Sequence, residues 1–220
     1  MTREDLPVVD PYPVADLERE VAVHGVVLAA GTSDRYGSAN KLLESIDGDP
    51  LICRAVETLV DTPLEAVTVV LGHDADRIRS ALRAYDVDYR YNESYECGQS
   101  TSVRTGVAAA RDRDADAVLF ALGDMPAVSP TTVELLVGAY RRGRGSALTA
   151  GYDGTRGNPV LFDAQHFDAL GSVSGDIGGR DVLRDASDGA IVETGDPGVL
   201  RDIDRPGDRK PTENDPDTSA

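Results

Sequence analysis

Short apolar runs that alternate with helical patterns are the feature that most restricts how this chain folds. Buried strands are predicted at residues 22–30, 66–71, 87–91, 117–122, 147–150, 159–162 and 190–193. Helices with one apolar face are predicted to begin near residues 50, 74, 102, 129 and 177. Parallel strands need a crossover connection, which is usually a helix. The alternation therefore predicts an α/β fold with three layers, α/β/α, around a mostly parallel sheet.

The chain is expected to have one folded unit and two polar ends. Residues 22–204 are predicted to form a single domain, since no internal repeat or linker divides them. Residues 1–21 are acidic and contain proline, so we expect a flexible N-terminal arm. Residues 205–220 are rich in Pro, Asp and Thr, so we expect a disordered acidic tail.

The large excess of acidic residues argues against one class of partner. The 39 Asp and Glu against 22 Lys and Arg give a formal net charge of -17. Nucleic acid is disfavoured, because a binder neutralises phosphates with Lys and Arg. The acids are spread over the folded region and only two residues are lysine, a composition similar to that of haloarchaeal cytosolic proteins.

The first twenty residues lack the basic and apolar regions of a signal peptide, and no apolar run is long enough to span a bilayer. We therefore expect a cytoplasmic protein without a membrane partner.

The loop after the first strand has the composition of a phosphate-binding site. The strand ends at Ala30, and Gly31 opens a loop that contains Arg35 and leads to Lys41. Small residues let the main chain approach a flat base, loop amides can face phosphates, and the two cations add positive charge. A plain strand-to-helix turn has a similar composition, but one of only two lysines lies here, which favours triphosphate binding. The chain contains neither a P-loop nor a Gly-x-Gly-x-x-Gly fingerprint, which argues against an ordinary ATPase and a nicotinamide dehydrogenase.

A second polar turn follows the buried strand at 117–122. It places Asp124 between Gly123 and Met125-Pro126, at the carboxyl end of that strand. A carboxylate there can hold Mg²⁺ against phosphate oxygens, although an ordinary turn explains the same residues when they are considered alone. The three histidines show no metal-ligand spacing and are predicted to be surface or capping groups.

Together these motifs resemble those of the nucleotidyltransferases that build molybdopterin dinucleotides. Leu-Ala-Ala-Gly-x-Ser-x-Arg-x-Gly with a following Lys, then Gly-Asp-Met-Pro, are in the family's order. Further matches lie at residues 98–103, 156–162, 175–180 and 202–206, so the resemblance covers roughly residues 24–208. The chain is most similar to the molybdenum cofactor cytidylyltransferases of this MobA-like group, which carry Leu-Ala-Ala-Gly where guanylyltransferases carry Leu-Ala-Gly-Gly. The resemblance implies a Rossmann-like nucleotidyltransferase fold of the GT-A-like type.

The resemblance also implies a role for individual residues. The nucleotide would be bound by Leu28, Ala29, Ala30, Gly31, Ser33, Lys41 and Ser102. The catalytic residues would be Arg35, Lys41 and Asp124, and the metal ligands would be Asp124 and Asp204. Asn158 stands where the family often has His, which is a departure on the acceptor side of the site.

The implied reaction moves a nucleoside monophosphate from an NTP, with CTP favoured, to a phosphorylated acceptor. Molybdopterin is the expected acceptor, Mg²⁺ the expected cofactor, and pyrophosphate the second product. A guanylyltransferase and a sugar- or alditol-phosphate nucleotidyltransferase of the same fold remain alternatives. So does a non-catalytic nucleotide-binding factor that assists maturation of a molybdoenzyme, although the complete set of Arg35, Lys41 and Asp124 argues against it.

Overall fold

The structure, a computed structural model, describes residues 6–11, 20–32, 40–46, 48–175 and 178–203. Its strands are β1 (Val8–Val9), β2 (Val23–Ala29), β3 (Ser45–Ile46), β4 (Asp49–Pro50), β5 (Ala66–Leu71), β6 (Asp88–Tyr91), β7 (Ala117–Leu122), β8 (Ala147–Tyr152), β9 (Thr155–Asp163) and β10 (Ala190–Glu193). Its helices are α1 (Leu51–Val60), α2 (Ala75–Ala81), α3 (Gln99–Arg111), α4 (Pro130–Arg141), α5 (Phe167–Gly171) and α6 (Arg180–Asp185).

Within these ranges, eight strands form one sheet in the order β1-β10-β8-β9-β7-β2-β5-β6. All neighbouring pairs are parallel except those of β9, which runs antiparallel to β7 and to β8. Helices α1, α2 and α4 contribute to the core on one face of the sheet, and α3, α5 and α6 to the core on the other. The predicted three-layer, mostly parallel α/β fold is confirmed.

Strand β2 lies at the centre of the sheet, between β5 and β7. Its side chains alternate between the two cores: Val23 and Val27 belong to one, and Val26 belongs to the other. A strand covered by helices on both faces has no solvent-facing positions, so its sequence is a nearly continuous apolar run. The same central position carries the loop after β2 to the middle of the sheet's carboxyl edge.

The hairpin β8–β9 is longer than the sequence predicted. Its strands were expected at 147–150 and 159–162, but they extend until Tyr152 pairs with Thr155. Asp153 and Gly154 form the turn with φ of 51° and 71°, the left-handed values that two-residue hairpins require. The Asp-Gly pair was therefore the available signal, and the polar residues that follow it are held in the strand by pairing with β8. Helix α6 begins at Arg180, and the predicted start at Ile177 lies outside the described residues.

Part of the segment expected to form a flexible arm is attached to the sheet. Val8 and Val9 pair in parallel with Ile191 and Val192, and the carbonyl of Pro7 accepts a hydrogen bond from the amide of Ile191. Strand β10 would otherwise leave its edge unpaired, so the arm covers it. Residues 205–220, expected to be a disordered tail, lie outside the described ranges. None of the described helices is both long and apolar enough to cross a membrane.

Candidate active site

The carboxyl ends of β2 and β7 border a cavity of about 640 Å³. It is lined by Leu28, Ala30, Gly31, Thr32, Tyr95, Glu96, Gly98, Gln99, Ser102 and Leu122. Four of the residues predicted to bind the nucleotide, Leu28, Ala30, Gly31 and Ser102, therefore share one cavity. Ala29, also predicted, is buried in the core between β2 and the helices and does not line it. This is the edge of an open α/β sheet at which ligands bind.

One wall of the first cavity is tightly packed main chain. The carbonyl of Ala30 accepts a hydrogen bond from the amide of His73 at 3.3 Å. A Cβ atom at Gly72 would lie 2.6 Å from Cβ of Tyr95 and 2.7 Å from the carbonyl oxygen of Ala30. Only glycine fits there without displacing backbone. Sequence reasoning missed Gly72 and Tyr95, although a glycine at the end of a buried strand was a usable signal.

Lys41 and Asp124 meet although they are far apart in the sequence. The Nζ atom of Lys41 donates to Oδ2 of Asp124 at 2.6 Å, and the two side chains are 15% and 21% exposed. Lys41 begins a short 3₁₀ helix whose first turn is capped by the side chain of Asn40. Asp124 lies in the turn after β7, two residues beyond Leu122 of the cavity wall. The structure thus brings two predicted catalytic residues together.

Ser102 is held by a small buried network at the start of α3. The Nδ2 atom of Asn92 donates to Oγ1 of Thr101 at 2.8 Å and to Oγ of Ser102 at 3.0 Å. Before the helix, Gly98 adopts φ of 95°, a conformation that favours glycine. Asn92, at the end of β6, was not identified from the sequence, because its role depends on the packing of β6 against α3.

A second cavity of about 550 Å³ adjoins the first and shares Leu28, Gln99 and Leu122 with it. Its apolar lining includes Phe120 and Phe162, and its polar lining includes Arg156, Asn158 and Arg180. Burial, and then the nearby Arg180 guanidinium, lowers the pKa of Arg156. These two arginines lie in motifs quoted for the family, but sequence reasoning gave them no role.

Neither Arg156 nor Arg180 forms an ion pair with any described residue, whereas Arg90, Arg111, Arg113 and Arg184 each pair with an aspartate. In a chain with a net charge of -17, two neighbouring arginines that pair with no described acidic residue favour an anionic ligand. The second cavity therefore combines an apolar surface with a cationic side.

The described residues supply one carboxylate that suits a divalent cation. They contain no group of three or more His, Cys, Asp or Glu side chains with metal-binding geometry. Mg²⁺ commonly uses only one or two carboxylates together with substrate phosphates, so Asp124 fits this chemistry. The amide of Ile203 donates to the carbonyl of Asp124 at 3.0 Å, which brings the chain next to the turn just before Asp204. Ser33, Arg35 and Asp204 themselves lie outside the described residues.

The prediction that the histidines are surface or capping groups is wrong for His24. This side chain is 1% exposed in β2, and its Nε2 lies 2.9 Å from Oγ1 of Thr68. Burial is the main cause that lowers its pKa to about 4, and the Arg113 guanidinium adds to the effect. The strand pattern allowed a polar residue at this position, but only the pairing of β2 with β5 supplied its partner.

The profile of one family matches residues 25–190, and its description is "MobA-like NTP transferase domain". The chain belongs to this family. It is 36% identical over 170 residues to nicotine blue oxidoreductase of Paenarthrobacter nicotinovorans, covering 74% of this chain and 81% of that protein. It is 30% identical over 191 residues to the purine catabolism protein PucB of Bacillus subtilis, covering 83% and 91%. GlmU of Burkholderia multivorans is 30% identical over 171 residues, but the chain spans only 36% of that bifunctional protein.

Among solved structures, a nucleotidyl transferase from Methanothermobacter superposes with a TM-score of 0.72 at 26% identity. The superposition covers 85% of this chain and 94% of the other. The domain is therefore a nucleotidyltransferase enzyme with a Rossmann-like fold.

Proposed function

We propose that this enzyme transfers CMP from CTP to the phosphate of molybdopterin and releases pyrophosphate. The observation that carries the proposal is the Lys41–Asp124 pair beside two adjoining cavities. A transferase needs two substrates held with their reacting atoms together, and here the cavities share one wall. In this proposal the first cavity takes the nucleotide and the second takes the acceptor.

The reaction is an in-line displacement at the α-phosphorus of the nucleotide. An oxygen of the acceptor phosphate forms the new bond to phosphorus, and the bond to the β-phosphate oxygen breaks. The bonding electron pair leaves with pyrophosphate. No general base is required, because the acceptor oxygen is already an anion. The protein contributes mainly by positioning the two substrates and neutralising their charge.

Lys41 has a clear role in such a reaction. Its ammonium group is partly buried and held at a fixed position by Asp124, so it can face the triphosphate without a large reorganisation. Arg35 would add a second positive charge from the loop after β2. These cations have to offset the repulsion between a triphosphate and a chain of net charge -17.

A divalent cation, for which we propose Mg²⁺, would be held by Asp124 with Asp204. When bound, such a cation neutralises charge on the phosphates and on the leaving pyrophosphate. Asp124 is suited to this role because Lys41 contacts Oδ2 and the carboxylate has a second oxygen, Oδ1, that can bind the ion. One or two carboxylates are enough when the substrate supplies further oxygens.

The choice of CTP over GTP rests on Ala30. Its methyl group packs against Gly72, and its carbonyl is already bonded to the amide of His73. Ala30 also lines the first cavity, so in this proposal its methyl group narrows the base site at the position where guanylyltransferases carry glycine. A pyrimidine needs less space there than a purine. GTP, or a sugar phosphate as acceptor, remains the alternative within the same fold.

One relative suggests a different chemistry. It is nicotine blue oxidoreductase, whose name is that of an oxidoreductase, and it is 36% identical to this chain. We favour nucleotidyl transfer because Lys41 and Asp124 suit a triphosphate and the chain has no Gly-x-Gly-x-x-Gly fingerprint. A non-catalytic role in molybdoenzyme maturation would leave this charged pair without a use.

The deciding assay measures pyrophosphate release from each NTP with Mg²⁺ and molybdopterin in molar KCl. We expect release with CTP that depends on the acceptor and is lost in Asp124→Asn. Asp112→Asn is the matched control, because it removes the same charge from an exposed pair with Arg90. Oxidation of NADH or NADPH without pyrophosphate release would overturn the proposal in favour of a reductase. Nucleotide binding without turnover would favour the maturation factor.

A further inference from the structure

The second cavity has a wall that comes from outside the family's domain. The family match begins at residue 25, yet Leu6 lines this cavity. Its side chain packs against the same core cluster as Phe120 and Phe162, and a Cβ atom at Gly189 would meet its Cδ2 at 3.3 Å. This part of the lining therefore lies outside the residues that match the family.

The segment that carries Leu6 is fixed on both sides of β1. The carbonyl of Pro7 accepts from the amide of Ile191, and the carbonyl of Pro11 accepts from Nη2 of Arg142 at 2.7 Å. Between these points, Val8 and Val9 pair with β10. Leu6 thus sits directly beside an anchored residue, which defines where its side chain can lie.

The lining of this cavity also carries charge. Arg156 is half-buried and Arg180 is exposed, and no described carboxylate pairs with either. Asp181 and Arg184 line the cavity too, and they pair with each other. The rings of Phe120 and Phe162, whose centroids are 6.5 Å apart, belong to the same lining. A ligand that suits this lining has a flat ring portion and an anionic group.

We propose that Leu6 and Arg156 select the acceptor, Leu6 by contacting a flat ring portion and Arg156 by binding an anionic group on the same molecule. This inference rests on the proposed function, because it takes the second cavity as the acceptor site. It makes Leu6 a specificity-determining residue that lies outside the residues that match the family. It also assigns the N-terminal segment a role in choosing the substrate.

The test measures binding alone, so it does not require turnover. Phenyl phosphate and glycerol phosphate are titrated calorimetrically in molar KCl, with and without saturating non-hydrolysable CTP or GTP analogues to block the first cavity. The two probes share a phosphate, and only phenyl phosphate has a ring. We expect the wild type to bind phenyl phosphate more tightly than glycerol phosphate.

Leu6→Ala should weaken the binding of phenyl phosphate by roughly fivefold and leave the binding of glycerol phosphate unchanged, because only the ring loses apolar contact. Val8→Ala is the matched control: it shortens a side chain of the same segment that is 52% exposed and does not line the cavity. Arg156→Gln should weaken the binding of both probes by roughly tenfold, since a charge-assisted hydrogen bond to the phosphate is lost. Arg83→Gln removes an exposed arginine elsewhere and controls for net charge.

Equal effects of Leu6→Ala and Val8→Ala on phenyl phosphate would overturn the inference, because detachment of the segment would then explain both. Equal binding of the two probes by the wild type would also overturn it. The expected binding pattern supports the inference even if no NTP gives pyrophosphate. A failure of the proposed transfer reaction is therefore distinguishable from a failure of the proposed roles of Leu6 and Arg156 in binding.

Discussion

Acidification should destabilise this protein through a single buried histidine. His24 lies in the central strand β2 and is 1% exposed, with Thr68 as its hydrogen-bond partner. Its pKa is lowered from 6.5 to about 4: burial is the main cause, the Arg113 and Arg90 guanidinium groups act in the same direction, and Asp88 opposes them. The folded protein therefore holds this imidazole neutral in a pH range where the unfolded chain protonates it.

The sign and size of the effect follow from proton linkage. Above pH 6.5 both states are neutral at this site and the free energy of unfolding is unaffected. As the pH falls toward 4, the unfolded state binds the proton and the folded state does not, so stability decreases. The two pKa values predict that the free energy of unfolding decreases by about 2 kcal/mol between pH 7 and pH 5. The full loss, reached below pH 4, is about 3 kcal/mol.

Acidification also protonates carboxyl groups, and the chain has 39 Asp and Glu, so a variant is needed to isolate the contribution of His24. His24→Gln keeps a hydrogen-bonding side chain of similar length that does not titrate. Urea unfolding of both proteins at pH 7 and pH 5, in the same KCl concentration, cancels the common acidic background. The stability difference between wild type and variant should decrease by about 2 kcal/mol on acidification. Parallel pH profiles, or an NMR titration that places the pKa of His24 near 6.5, would refute the reasoning.

Three further predictions concern the site and the charge. Lys41→Ala and Asp124→Ala should each reduce kcat at least about a hundredfold in the pyrophosphate assay, because both act on transition-state charge. Their far-UV circular dichroism should remain that of the wild type, and near-normal kcat in either would remove the proposed site. Ala30→Gly should raise kcat/KM for GTP relative to CTP without abolishing turnover; an unchanged ratio would show that this methyl group does not select the base. The melting temperature should rise from low to molar KCl, since salt screens repulsion among the excess acids. A flat or falling Tm would contradict the halophilic interpretation.

Much of the fold was predictable because its local patterns agree with the tertiary structure. Strands β5, β7 and β10 have the predicted bounds, and the Ser129 side chain caps α4 as its Ser-Pro start indicates. Prediction was less accurate where pairing extends a strand beyond its apolar run, as in β9. It was also wrong at Val8 and Val9, since nothing local to a polar arm shows that a sheet edge is free to receive it.

The sequence by itself predicted the alternation of strands and helices, a phosphate-binding loop after β2, and the candidates Lys41 and Asp124, because each follows from residues that are close together in the chain. Only the tertiary structure decided that these two side chains, which are 83 positions apart in the sequence, form a hydrogen bond. It alone placed Leu6 and Arg156, from distant segments, in one cavity. The physical reason is that periodicity and turn chemistry are local, whereas a ligand site is made of side chains that chain folding brings together.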